Sequence, residues 1–313
     1  MRRKNNFLSV IIASYRDELA IPIMYQRLKK IVKLLNVTYE IIFVNDGSPD
    51  NSEAVLSALV RSDSQVIAIH HTRNFGSQMA FTSGMAIAKG DAVILLDGDL
   101  QDPPELIPQL YQRWLEGFEV VYGVRTERRG VSLIQPLYKL FYRIFRLMSY
   151  ITIPLDSGDF SLIDKRVVLI LQKFPERDRF LRGLRAWVGF KQVGVSYIRP
   201  DRFFGSSTNN WIKNFQWATK GIFSFSFVPL QLMTLGSLAT FFLAIIGIIF
   251  QVILRLILPD APAGISTVIV VVLFLGSIQL LGLSIIGEYI AKIFEETKQR
   301  PPYIVKKIDK RRR

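Results

Sequence analysis

Residues 91–105, "DAVILLDGDLQDPPE", decide the fold. The run from Asp91 to Asp97 is apolar through its middle and rich in aliphatic residues, as in a strand buried on both faces. It ends in a knot of acidic residues, Asp97, Asp99 and Asp102, with Gln101 among them. Pro103 and Pro104 follow and open a helix. Crowded carboxylates repel one another and lose solvation if buried. In a parallel sheet, ligands gather beyond the carboxyl ends of the strands. The stretch therefore asks for a positive charge at a ligand-binding edge. Asp97 and Asp99 form an Asp-x-Asp pair able to converge on one ion, and Gln101 adds a neutral oxygen. An all-oxygen set selects a hard divalent ion, Mg²⁺ or Mn²⁺. In isolation the same pattern also suits a solvated turn.

The surrounding sequence repeats the strand motif. "FLSVIIAS", "YEIIFVND", "VIAIHH" and "FEVVYGV" are further apolar runs, and helix-like stretches at 18–35, 51–62, 77–88 and 104–116 alternate with them. This βαβα order predicts an α/β domain with a doubly wound, mostly parallel sheet. Asp46 and Asp97 each close a strand and are expected at the ligand crevice. The opening "MRRKNNFLSVIIAS" superficially resembles a secretion signal, but its apolar run is short and "YRDE" follows at once, so it reads as the first strand.

The chain has 313 residues, half of them hydrophobic, and a formal net charge of +14. Such a balance calls for anionic partners: nucleic acid, phosphorylated ligands or an acidic membrane surface. No cysteine is present, which rules out disulfides and thiolate metal sites and suits the cytoplasm. Residues 133–150 place Lys139, Arg143 and Arg146 on one stripe of an otherwise aliphatic and aromatic helix, a pattern suited to a membrane surface. No charged residue occurs from Gly221 to Leu254 or from Ala261 to Gly287. Each run exceeds the roughly 20 residues a helix needs to cross a bilayer. The two read as a transmembrane hairpin joined by the Pro-rich "RLILPDAPAG". Lys213 and Lys220 precede the first span, and a basic segment from Lys292 to Arg313 follows the second. By the positive-inside rule both termini are expected in the cytoplasm. With the charge concentrated beside membrane segments, nucleic acid is not expected as a partner.

Neither a G-x-x-x-x-G-K-[ST] phosphate loop nor a G-x-G-x-x-G turn after the first strand is present. His70 and His71 are adjacent at a strand end, so their side chains are expected on opposite faces. Asp46, in "VNDGSPD", is suited to accept hydrogen bonds from a base or ribose. Asp102 reads as the N-cap of the helix that follows.

The set "SVIIASYRDE", "EIIFVNDGSPD", "RNFGSQMAF", "GDAVILLDGDLQDPPE" and "DSGDFSLIDKRV" resembles the family 2 glycosyltransferases of GT-A fold. The ending "IIGEYIAKIFEETKQRPPYIV" after two apolar runs resembles the polyprenyl-phosphate branch, which includes bactoprenol glucosyltransferases and dolichol-phosphate mannose synthase. The resemblance covers nearly the whole chain. It implies an inverting, metal-dependent transfer from a nucleotide sugar to a polyprenyl phosphate. UDP-glucose and undecaprenyl phosphate are the first choice of substrates. A GDP-mannose-dependent dolichol-phosphate mannose synthase is the alternative within the class, and a non-catalytic nucleotide-sensing membrane subunit the alternative outside it.

By match to the family motifs, Ala13, Tyr15, Asp17 and Asp46 line the nucleoside pocket, Asp97 faces the donor, and Asp99 and Gln101 hold Mg²⁺ or Mn²⁺. The family's Pro-x-Tyr-Asn-Glu is here Ala13-Ser-Tyr15-Arg16-Asp17. Arg125, Arg128 and Arg129, in "YGVRTERRG", suit phosphate oxygens. Arg202, in "RPDRFFGSSTNNW", matches the mobile loop that clamps the donor. Asp159, of the three acids Asp156, Asp159 and Asp164, matches the catalytic carboxylate. A helix cap or a structural turn is the other reading of Asp159. The expected organisation is a cytoplasmic GT-A domain at 1–207 and an interfacial helix at 208–224. Membrane helices at 225–257 and 264–290 and a basic cytoplasmic tail at 291–313 follow. The chain is expected in the cell inner membrane, with homo-oligomers allowed.

Overall fold

The computed structural model describes residues 6–125, 157–198, 226–257 and 264–311. These fall into two compact units. Residues 6–125, 157–198 and 299–311 make the first, and 226–257 with 264–298 the second. The expected interfacial helices at 133–150 and 208–224 lie outside the described residues, as do Arg128, Arg129, Asp156 and Arg202.

The first unit is built on an eight-stranded sheet. Its strands in chain order are β1 (Phe7–Ser14), β2 (Thr38–Asn45), β3 (Val66–His71), β4 (Ala92–Asp97), β5 (Val120–Arg125), β6 (Ser157–Asp164), β7 (Gln192–Tyr197) and β8 (Val305–Lys310). Their spatial order is β7-β5-β6-β4-β1-β2-β3-β8. β1 pairs in parallel with β2 and β4, β2 with β3, and β5 with β7. β6 runs antiparallel between β4 and β5, and β8 antiparallel along β3. Continuous burial explains the aliphatic runs: Val10, Ile11, Ile12, Ile41, Ile42, Phe43, Ile94 and Leu96 are all fully buried. Burying each such side chain contributes roughly 1.5–3 kcal/mol.

The helices of this unit are α1 (Ala20–Leu35), α2 (Ser52–Ser62), α3 (Ser77–Ile87), α4 (Ile107–Leu115), α5 (Lys165–Lys173) and α6 (Leu181–Trp187). α1 buries Ala20, Ile21, Met24, Leu28, Ile31 and Val32, a stripe at helical spacing. It stops at Asn36, whose left-handed φ of 49° is tolerated by a short polar side chain. The double proline starts a short 3₁₀ turn, Pro104–Leu106, which leads into α4.

The second unit contains α7 (Val228–Ile257) and α8 (Ile265–Thr297). Their segments Val228–Leu254 and Val268–Thr297 are long and apolar enough to cross a membrane. At about 1.5 Å per residue each exceeds the roughly 30 Å of bilayer hydrocarbon. Large apolar side chains such as Phe241, Ile246, Phe250, Val270 and Phe274 are exposed along them, an arrangement that costs free energy in water. The Tyr289 hydroxyl donates to the Ser226 carbonyl at 2.7 Å.

The C-terminal segment differs from the expected basic tail. α8 continues to Thr297, and residues 305–310 form β8, which pairs Ile69 with Ile308. Salt bridges from Lys306 and Lys307 to Glu53 of α2, at 3.0 and 3.1 Å, accompany the pairing. The exposed Lys306 is typical of an edge strand, and Ile308 is exposed as well, while Lys307 and Asp309 on either side of it are half-buried.

Candidate active site

Adjacent parallel strands bring the predicted residues to one edge. β1 and β4 are in register, so that Ala13 pairs with Asp97. The Asp46 amide donates to the Ser14 carbonyl at 3.0 Å, and the Arg16 amide donates to Ser48 Oγ at 2.7 Å. The loops after β1 and β2 are thereby joined. Asp17 accepts from the Tyr15 amide at 3.0 Å. A glycine is required at 98. A Cβ there would lie 2.8 Å from Ser14 Oγ and 2.9 Å from both the Ala13 carbonyl and Asp17 Oδ2. The close approach presses the β4 turn against the β1 turn. Ser14 Oγ is buried without a hydrogen-bond partner among the described residues.

The acidic knot is electrostatically loaded. Burial, then the charges of Asp102, Asp159 and Asp99, push the Asp97 carboxyl well above the usual carboxylate range, and Arg125 opposes them. Asp99 Oδ1 accepts from the Gln101 amide at 3.1 Å, while Leu100 between them takes a left-handed φ of 61°. Asp102 is not a helix cap. It is fully buried, accepts a hydrogen bond from the Tyr197 hydroxyl and lies 3.5 Å from Arg125 Nη2. Pro103 stands at the cap position instead, with no side-chain hydrogen bond. Arg125 Nε also donates to the Tyr197 oxygen at 3.2 Å. Burial works against the Arg125 charge, but Asp102 and Tyr197 outweigh it and hold the guanidinium above its ordinary value.

Asp159 lies within β6 and is buried. Gln78 Nε2, from the first turn of α3, donates to its Oδ2 at 2.8 Å, and Arg182 Nε of α6 donates to its Oδ1 at 3.3 Å. Gln78 Oε1 accepts from the Leu181 amide at 2.8 Å, which ties α3 to α6. Arg185, buried beneath, donates to the Gly158 carbonyl at 3.2 Å. Desolvation pushes its guanidinium down to about 10, against the pull of Asp159. Asp164 caps α5 by accepting from the Arg166 amide at 2.9 Å, and it also accepts from Trp114 Nε1. The capping role thus belongs to Asp164, and Asp159 faces side-chain donors within the strand.

The sequence profile described as glycosyl transferase family 2 matches residues 9–169. The chain is a family 2 glycosyltransferase. A prophage bactoprenol glucosyl transferase homolog of Escherichia coli (strain K12) is 37% identical to it over 304 residues, 97% of this chain and 99% of that protein. The bactoprenol glucosyl transferase of Shigella phage SfII is 36% identical over 301 residues, 96% of this chain and 97% of that protein. The glycosyltransferase therefore stands in the branch that contains the bactoprenol enzymes. Among solved structures, mannosyl-3-phosphoglycerate synthase from Rubrobacter xylanophilus superposes with a TM-score of 0.47 at 16% identity, over 74% of this chain and 75% of that one.

Motifs mark Asp46, Asp97 and Asp159, and no local signal marks the groups that the fold brings to them. Gln78 sits inside the quoted "RNFGSQMAF", but nothing local marks it as the donor to Asp159. Arg182, Arg185 and Tyr197 carry no motif signal. Only a buried carboxylate in need of a donor could have pointed to them. Asp46 accepts from His71 Nδ1 at 2.7 Å and from the Phe75 and Gly76 amides at 2.9 and 2.7 Å. His70 takes other partners, Asn45 at 3.3 Å and Asp309 at 3.3 Å.

Proposed function

We propose that this glycosyltransferase moves a sugar, glucose from UDP-glucose in the first instance, onto a polyprenyl phosphate at the cytoplasmic face of the membrane. The observation that carries the reading is the near-complete alignment with bactoprenol glucosyl transferases, on both chains' lengths, which includes two helices of membrane-spanning length. Basic residues flanking those helices favour cytoplasmic termini.

Asp99 and Gln101 are the residues that would hold Mg²⁺ or Mn²⁺. The fit rests on their oxygen donors and on their place in a carboxylate cluster, where Asp102, Asp159 and Asp99 act on Asp97 and Arg125 opposes them. Such an ion, when bound, supplies charge stabilisation to a leaving diphosphate. The remaining tasks fall to the chain. Ala13, Tyr15, Asp17 and Asp46 lie at or next to the ends of β1 and β2, where the nucleoside would bind. Asp97 faces the donor sugar. Arg125, with Arg128 and Arg202, would hold phosphate oxygens through guanidinium forks.

The acceptor phosphate oxygen forms a bond to C1 of the sugar as the bond from C1 to the diphosphate breaks, inverting the configuration to a β-linked product. A phosphate monoester is largely ionised at neutral pH, with a second pKa near 6. Asp159 therefore gains little as a base. Held by Gln78 and Arg182, it orients the acceptor or the sugar and stabilises positive character at C1.

The test is a panel of radiolabelled UDP- and GDP-sugars supplied to membranes containing polyprenyl phosphate, with and without EDTA. UDP-glucose is expected to label the lipid, EDTA to abolish labelling, and Asp159→Asn to lose turnover while keeping UDP-sugar binding. Labelling by GDP-mannose alone would reassign the donor. Full activity of Asp99→Ala would overturn the metal assignment, and absence of transfer from every donor would overturn the reaction.

A further inference from the structure

The residues that follow α8 reach the nucleotide half of the site. Tyr303 comes soon after Thr297, the last residue of that helix, and belongs to the first unit. Its ring stacks on His71, with centroids 5.4 Å apart and planes 17° from parallel. Phe75 meets the same imidazole edge-on at 5.7 Å, and the Arg73 guanidinium covers Phe75 at 4.1 Å. His71 is thus held between two rings. The Ile304 carbonyl, beside Tyr303, accepts from the Thr72 amide at 3.0 Å, which fixes the register of the contact.

His71 passes the constraint inward. Its Nδ1 donates to Asp46 Oδ1 at 2.7 Å, and its Nε2 lies 2.9 Å from Ser83 Oγ of α3. Both rings of the contact and both ends of the imidazole are therefore engaged. Asp46 in turn accepts from the amides of Phe75 and Gly76, the two residues before α3. Gly47 has a φ of 64°, and a Cβ on it would lie 2.3 Å from the Arg73 carbonyl carbon. The turn after β2 and the loop after β3 are pressed together and share one carboxylate. The start of α3, which this loop sets, presents Gln78 to Asp159.

We propose that Tyr303 is a positioning residue of the donor site. It fixes the His71 ring, and through it Asp46 and the 72–76 loop, so that nucleotide affinity depends on the segment following α8. This rests on the reaction proposed above. Tyr303 does not touch the reacting atoms, and its removal acts on the geometry of the pocket. The stacking face carries the effect, and the phenol oxygen is dispensable.

The test compares full-length wild type, Tyr303→Ala and Tyr303→Phe in detergent micelles. UDP affinity in the presence of Mn²⁺, donor KM and kcat, and amide hydrogen exchange at residues 72–80 are measured. Tyr303→Ala is expected to weaken UDP binding and raise KM by about tenfold, inside the 5–150-fold range of site-to-site coupling. kcat at saturating donor is expected to change little. Exchange at Phe75 and Gly76 should quicken, and Tyr303→Phe should restore all three readouts. Wild-type UDP affinity together with unchanged exchange in Tyr303→Ala would overturn the proposal, as would equal defects in Tyr303→Ala and Tyr303→Phe. A wild type that uses no nucleotide sugar would count against the reaction alone. The exchange comparison would still decide the positioning role, with unchanged exchange in Tyr303→Ala refuting it.

Discussion

Tyr197→Phe removes one oxygen from the buried cluster behind the acidic knot. The Tyr197 hydroxyl donates to Asp102, which has no exposed surface, and accepts from Arg125 Nε at 3.2 Å. The ring itself keeps its edge-on contact with Phe160, centroids 5.9 Å apart, so packing is preserved. The Arg125 side chain is 19% exposed, so water can replace the bond it loses. Asp102 has no such recourse, although Arg125 remains 3.5 Å away. The loss is therefore close to one hydrogen bond to a buried charge, about 2 kcal/mol from a range of roughly 1.5–3. For a domain of this size, about 2–4 °C of Tm follows each kcal/mol, which gives a fall of about 4–8 °C. Thermal unfolding of the full-length protein in detergent measures it, monitored by tryptophan emission. Tyr197→Leu, which also loses the aromatic contact, should fall further by about 0.5–1.5 kcal/mol. A Tm for Tyr197→Phe within 1 °C of wild type, on the order of the smallest effect that scale resolves, would refute the account of Asp102 as a carboxylate dependent on Tyr197.

Two further outcomes follow from the geometry. Gly98→Ala forces a Cβ against Ser14 Oγ and the Ala13 carbonyl, at 2.8 and 2.9 Å, and such overpacking costs about 1–3 kcal/mol. Because the strain falls between the β1 and β4 turns, calorimetric titration with UDP and Mn²⁺ should lose affinity, and unchanged affinity would separate those turns from donor binding. Asp63 accepts from Lys29 at 2.8 Å and from Tyr25 at 2.9 Å; burial alone would raise its carboxyl, but these donors and the Gln65 amide hold it below the usual range. A depressed carboxylate stabilises the fold above its unfolded pKa near 3.9, and that stability disappears as pH falls through the folded value. Asp63→Asn should consequently lower the Tm at pH 7, and the gap to wild type should narrow progressively as pH falls from about 4, the unfolded value, through the lower folded value of Asp63. A gap independent of pH would contradict the assignment.

Much of the half built on β1 to β5 was readable because its information is local. Each of β1 to β5 is a short aliphatic run, and "FLSVIIAS" and "VIAIHH" coincide with β1 and β3. Strand ends carry Asp46 and Asp97 by the same periodicity, so their shared edge follows from parallel pairing. The half of the site built on β6 was legible only as a motif. "DSGDFSLID" forms β6, but nothing in its composition says that it enters antiparallel between β4 and β5. That insertion is what brings Asp159 near Asp97.

The sequence by itself determined the alternating α/β pattern, the carboxylates at the strand ends and two apolar segments of membrane length. Each of these depends on neighbours within a helix turn or a strand, where periodicity and side-chain chemistry act directly. Tertiary structure alone decided which groups satisfy the buried carboxylates, Asp102 and Asp159 among them. Tyr197 meets Asp102 across 95 residues, Gln78 meets Asp159 across 81, and β8 closes on β3 from the far end of the chain. A buried charge fixes that some donor must arrive, because leaving it unpaired is costly. Which donor arrives is set by the packing of the whole sheet, and no local pattern encodes it.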